Sequence, residues 1–289
     1  MARTFVLGLG AQKAGTTWLH DYLTTLNGVD MGFIKEYHFW DVAGRDQSAE
    51  KLRRRGFKRK LVDAAQALLQ EEDYAFQKHR NIWIRLAWHS HPELYFDYFA
   101  GLLTQDGIQL TGDLTPDHSA LDSTVIETIK AGFALRGIEV RPVFIMRDPV
   151  ERIWSAIRMN RRKGKELSEV DDEKEIIRRL GVKPVMNRSR YDLTLQAIGS
   201  AFGTENAFVG LYEDLFSAQE VQRLCRFLHI DYVEPEFEKR LNETTKTGNL
   251  SQETVARVAQ HLKPSYLAAA GIYGQDRLLE LWPSARHVF

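Results

Sequence analysis

Apolar residues in this chain gather into short runs, and each run gives way to helical spacing. Three runs stand out: Thr4–Gly10 (TFVLGLG), Val140–Met146 (VRPVFIM) and Asn206–Tyr212 (NAFVGLY). Continuous apolar runs of this length predict strands buried on both faces of a parallel sheet. A weaker fourth run is Ile108–Gly112. Thr16–Leu26 then places Trp18, Leu19, Tyr22, Leu23 and Leu26 on one helical face. Val150–Arg162 opens behind Pro149, a residue suited to the first helical position. Ser217–His229 spaces Val221, Leu224, Cys225 and Leu228 for a core.

Strand followed by helix, repeated, predicts an α/β fold. Its central parallel sheet is flanked by helices in three layers and built with right-handed crossovers. A helical insertion is expected at about 45–105. It holds Ala49–Gln70, basic at its start, and the stretch ELYFDYFAGLL after His91-Pro92. No fixed repeat and no low-complexity linker divides the chain, so one domain over 1–289 is expected.

Composition changes the picture little. Among 289 residues, 39 Lys+Arg balance 39 Asp+Glu, which argues against a whole-surface nucleic-acid binder. A hydrophobic content of 44% supports a real core and excludes a disordered chain. The single cysteine, Cys225, rules out an intrachain disulfide and reads as a buried thiol. No apolar run is long enough for a transmembrane helix, and the N-terminus reads as a strand, not a signal peptide. A cytoplasmic location is the resulting expectation.

The chemistry begins at Gly10-Ala-Gln-Lys-Ala-Gly-Thr-Thr-Trp-Leu19. Strand, tight turn and helix start occur in the order that aims backbone N–H groups at an anion. A dinucleotide loop fails here, because Lys13 stands where its third glycine belongs. A nucleoside-triphosphate loop fits Gly10 and Gly15, but Thr16 replaces its lysine. The lysine lies inside the loop, at Lys13, and the usual Mg²⁺ ligands are not evident. A phosphate ester that reacts without a metal fits this pattern better. A second anion site is suggested by Arg147-Asp-Pro, followed by Ser155 eight residues on. Arginine at the carboxyl end of a parallel strand sits where α/β sheets bind ligands. Asp148 is equally suited to cap the next helix.

With these residues in view, the chain resembles the sulfotransferases that use 3′-phosphoadenosine 5′-phosphosulfate (PAPS). The segment K-x-G-T-T-W-L is similar to that family's 5′-phosphosulfate loop. The resemblance assigns Lys13, Ala14, Gly15, Thr16, Thr17 and Trp18 to the donor site, with Lys13 also catalytic. The spacing of Arg147 and Ser155 resembles the family's 3′-phosphate motif. A polar stretch from Asn242 to Leu250 resembles its C-terminal donor loop and offers Lys246 and Thr247. The segment Lys35-Glu36-Tyr37-His38-Phe39-Trp40 resembles the K-E-x-H-F-F element of the Golgi heparan-sulfate and bacterial branches. It implies Glu36 as the base, Lys35 as its charge partner and His38 as the competing base.

Gly112-Asp-Leu-Thr-Pro-Asp-His118 resembles an acceptor-side element, with Leu114 in place of a lysine. It brings forward Asp113, Thr115 and His118. The implied reaction is direct in-line transfer of a sulfuryl group to a hydroxylated acceptor, such as a saccharide or lipid-linked molecule. PAP (3′-phosphoadenosine 5′-phosphate) is the product, and no metal is required. Two other classes compete: a nucleotide kinase built on the same loop, and a non-catalytic 3′,5′-bisphosphate binder. Lys51–Lys60 carries seven basic residues in ten, which read as a solvated helix face or a surface for an anionic acceptor.

Overall fold

The computed structural model describes residues 3–43, 58–66, 79–163, 171–238 and 248–289. Its centre is a four-stranded sheet of β1 (Thr4–Gly8), β2 (Leu110–Asp113), β3 (Glu139–Met146) and β4 (Phe208–Leu211). The order is β2-β1-β3-β4 and every pairing is parallel. Thr4 pairs with Leu110 on one side and Glu139 on the other, and Val143 pairs with Phe208. The expected α/β architecture is therefore present, with each strand starting and ending within two residues of its apolar run.

Helices Thr16–Thr24, Ser123–Ala134, Pro149–Arg162 and Ala218–Leu228 follow the four strands. Asp122, Asp148 and Ser217 cap the last three, each accepting first-turn N–H groups through its side chain. In the stretch between β1 and β2 lie helices Arg80–Ser90 and Glu93–Leu102. The basic run Lys51–Lys60 falls mostly outside the described residues; 58–60 begin an exposed helical segment.

Pro142 sits inside β3, where a missing N–H would ordinarily break a ladder. Backbone N–H direction alternates along a strand, and Ile145 points its N–H at Gly10 next to β1. Pro142 therefore faces the β4 side, where pairing starts only at Val143. No hydrogen bond is lost.

The core joins sheet and helices through aromatic rings. Phe5 stacks on Phe133 at 4.0 Å and meets Phe99 edge-on at 4.9 Å. Trp88, Tyr95, Phe96 and Phe99 are buried and belong to this core. Cys225 is buried against the Tyr22 hydroxyl at 3.4 Å, as expected of a structural thiol.

Order decides where a ligand can sit. The chain leaves β1 toward β2 on one side, then crosses back to β3 on the other. The onward connections of β1 and β3 therefore run in opposite directions, and in open α/β sheets the crevice that takes ligands lies at the carboxyl ends of such neighbours.

Candidate functional site

That crevice is lined by the glycine loop. Gly10 and Gly15 have φ of 92° and 83°, in the left-handed region that glycine tolerates. A side chain on Gly15 would also meet Leu215 Cδ2 at 2.6 Å. Gly15 opens helix Thr16–Thr24 without any side-chain cap, so the first-turn N–H groups are left for another acceptor. Ala14 and Thr16 are buried, and Thr17 is half-buried. Trp18 turns its ring into the core against Tyr22 and Phe216.

Lys13 also has a positive φ, 71°. Burial, followed by the charges of Arg147, Arg162, Lys163 and Arg158, pushes its amine down to about 8. Five cations thus share one neighbourhood. Arg147 joins the two loops: its Nη1 donates to the Lys13 carbonyl oxygen at 3.0 Å. The guanidinium lies over the Tyr212 ring at 4.5 Å, and its Nη2 is 3.5 Å from Glu151 Oε2. Ser155 is buried on the following helix.

Asp148 holds this region from behind. Fully buried, it accepts from Val150 N, Glu151 N, Ser284 N and the Ser284 hydroxyl. The C-terminal segment is thereby tied to the residue next to Arg147. Burial raises the Asp148 carboxyl above its ordinary range.

The acid–base cluster forms on the segment after Met31. Tyr37 and Phe39 are fully buried, with Tyr37 donating to the Met31 carbonyl at 3.0 Å. Glu36 and His38, on either side of the buried Tyr37, are partly exposed together. His38 Nε2 is 3.3 Å from Glu36 Oε2, and its Nδ1 is 3.0 Å from Asp41 Oδ2. Lys35 Nζ grips Glu36 Oε1 at 2.6 Å. Burial works against charge on Glu36, but the His38 bond and the Lys35 charge outweigh it and hold the carboxyl down to about 2. Burial likewise opposes charge on His38, yet Asp41 and Glu36 raise it to about 10.

Asp113, Thr115 and His118 sit behind that cluster with fully buried side chains. Asp113 accepts from Thr115 N, the Thr115 hydroxyl and Tyr95 OH. Thr115 Oγ1 in turn accepts from His38 N at 3.3 Å, and His118 Nδ1 lies 3.2 Å from the Gly8 carbonyl oxygen. These residues support the site from its floor and do not line its surface. Their polar groups bond to one another and to the backbone in this arrangement. The same bonds bring the loops after β1 and β2 together: a side chain on Gly10 would meet the Pro116 carbonyl at 2.8 Å. Lys246 and Thr247 lie outside the described residues.

Three participants escape the sequence reading. Asp41, Asp117 and Arg188 complete the cluster; Arg188 bonds both Asp117 oxygens, and Asp117 Oδ2 is 3.9 Å from His38 Nδ1. His38, Asp41 and Asp117 place three ligand atoms within 4.8 Å of one another, a geometry that could hold a metal. Here the imidazole and Arg188 supply positive charge. Asp41, three residues past His38, was open to discovery from the sequence; Arg188 carried no local signal.

No protein-family model matches the chain, and no curated protein matches its sequence. Among solved structures, a sulfotransferase from Alicyclobacillus acidocaldarius aligns with 94% of this chain and 96% of its own, at TM-score 0.59 and 16% identity. That likeness establishes the fold. A sulfotransferase domain from the curacin biosynthetic pathway matches 81% of this chain and 76% of its own at TM-score 0.44. A sulfotransferase domain from the Synechococcus PCC 7002 olefin synthase matches 90% and 94% at TM-score 0.45. Both are 16% identical and overlay too loosely to add to the first. Among the described residues, no helix is long and apolar enough to cross a membrane.

Proposed function

We propose that this chain is a sulfotransferase that moves a sulfuryl group from PAPS to a hydroxyl of a carbohydrate or small-molecule acceptor. The observation that carries the reading is the junction of Lys13 and Arg147, which merges two anion loops into one cationic crevice. The residues fit a doubly anionic donor. Lys13 and the uncapped first-turn N–H groups suit a 5′-phosphosulfate, and Arg147 with Ser155 suits a 3′-phosphate. The sulfotransferase named above, sharing the fold, supports the same reading.

The donor supplies an activated sulfur whose bond to the bridging oxygen breaks as the acceptor oxygen bonds to it. Glu36 takes the proton from the acceptor hydroxyl. His38 and Lys35 keep Glu36 ionised and fix its direction. Lys13 and the loop N–H groups stabilise the negative charge that arrives on the departing phosphate. The donor-site assignments of Lys13, Arg147 and Ser155, and the role of Glu36, belong to this proposal.

Transfer of labelled sulfate from PAPS to a panel of hydroxylated acceptors tests it. Lys13→Ala and Glu36→Gln should each lower turnover by at least about 10²-fold, with PAP binding retained in Glu36→Gln. ATP-dependent phosphate transfer in place of sulfate transfer would move the chain to the kinase class. PAP binding with no transfer to any acceptor would leave a binder.

A further inference from the structure

Helix Pro149–Arg162 carries more buried positive charge than the two anion loops account for. Arg158 is only 8% exposed, and its Nε and Nη1 have no hydrogen-bond partner. Its guanidinium lies flat over Trp154, 4.4 Å from the ring centroid, which orients it without satisfying its N–H groups. Glu151 and Asp172 offset part of its charge, but both acids are also engaged elsewhere. Asp172 accepts from Trp154 Nε1 at 2.6 Å and pairs with Arg161, while Glu151 lies against Arg147. Two turns before Arg158, Arg152 is completely buried, and all three of its guanidinium nitrogens lack a partner.

A buried donor without an acceptor costs free energy, and a buried unpaired cation costs more. The charge of Arg158 falls on Lys13 and Arg147, the residues that join the two loops. Arg158 also follows Ser155 by three residues, so the two share a helix face. In the unliganded protein these cations repel one another. An oxyanion in the crevice would relieve the repulsion and give the idle N–H groups an acceptor.

We propose that Arg158 is a further ligand of the donor's phosphate, one helical turn beyond Ser155, and that it sets the preference for a donor with a second anionic group. The assignment rests on the sulfotransferase reading above. Arg152, sealed from solvent, contributes its field and no contact.

Calorimetric titration of PAP into the full chain and into Arg158→Met tests the assignment. Methionine keeps an apolar stem on Trp154 while removing the charge and the fork. The expected result is a loss of at least about tenfold in affinity. The dependence of affinity on salt should become shallower, and the unliganded melting temperature should be equal or higher. Unchanged affinity with an unchanged salt slope would overturn the proposal. So would an unchanged PAP affinity with a raised KM for an anionic acceptor, since Arg158 would then serve the acceptor. If Arg158→Met melts early, Arg158→Lys decides. It should weaken PAP several-fold while keeping the salt slope, and wild-type affinity in that variant rejects the role. Failure of the wild-type chain itself to bind PAP is a different result, and it removes the sulfotransferase reading along with this one.

Discussion

Arg147 donates from Nη1 to the carbonyl oxygen of Lys13 at 3.0 Å, across 134 residues of sequence. One arginine therefore ties the glycine loop to the segment after β3, with its Nη2 3.5 Å from Glu151 Oε2. Lysine cannot reproduce that fork. Arg147→Lys should weaken PAP by about tenfold or more, measured by calorimetry, although the charge is kept. Wild-type affinity would show that the junction is incidental.

The pH dependence of kcat/KM separates the two candidate bases. This quantity reports groups of the unliganded enzyme. Glu36, held down to about 2, is already ionised throughout the ordinary range, so no acid limb should appear between pH 5 and 7. Lys13 must be protonated to stabilise the leaving phosphate, and it loses its proton as pH rises through about 8. Activity should fall above that point. A rate that climbs steadily toward pH 10 would instead assign the base to His38, which sheds its proton there.

Asp41 should matter to stability over a defined window. His38 has its folded value raised to about 10, so its charged contact with Asp41 contributes fully below the unfolded histidine value of about 6.5. The contribution fades as pH rises toward 10. Asp41→Asn should cost about 1–2 kcal/mol near pH 6 in urea unfolding, less at pH 9. A gap that widens with pH would contradict the pairing.

Lys13 combines a left-handed backbone with a half-buried charge among other cations. Both features oppose folding. Lys13→Gly removes the left-handed strain, worth about 1–2 kcal/mol, together with the repulsion, against some added chain entropy. Its melting temperature should equal or exceed that of the wild type while sulfate transfer is lost. A clear drop in melting temperature would mean that the amine stabilises the unliganded loop.

Much of this architecture was legible beforehand because its signals are local. Continuous apolar runs marked all four strands, and Pro149, Asp148 and Ser217 marked helix starts. Lys13, Gly15 and Arg147 could be found because each lies within a few residues of a strand end. The burial of Asp113, Thr115 and His118 carried no local signal, for a physical reason. Polar residues at a strand end either face a ligand or satisfy one another, and sequence does not reveal which. Here Asp113 accepts from both hydrogen-bond donors of Thr115 and from the hydroxyl of Tyr95.

Local chemistry thus determined the strands, the glycine loop and the pairing of lysine with glutamate along one segment. Tertiary structure alone decided which charges share a site. The order β2-β1-β3-β4 sets β1 beside β3, and so brings Arg147 to Lys13. Packing alone brought Arg188 to Asp117 and left Nε and Nη1 of Arg158 buried without an acceptor. Charges act through space over several ångströms, whereas a sequence motif records only neighbours along the chain.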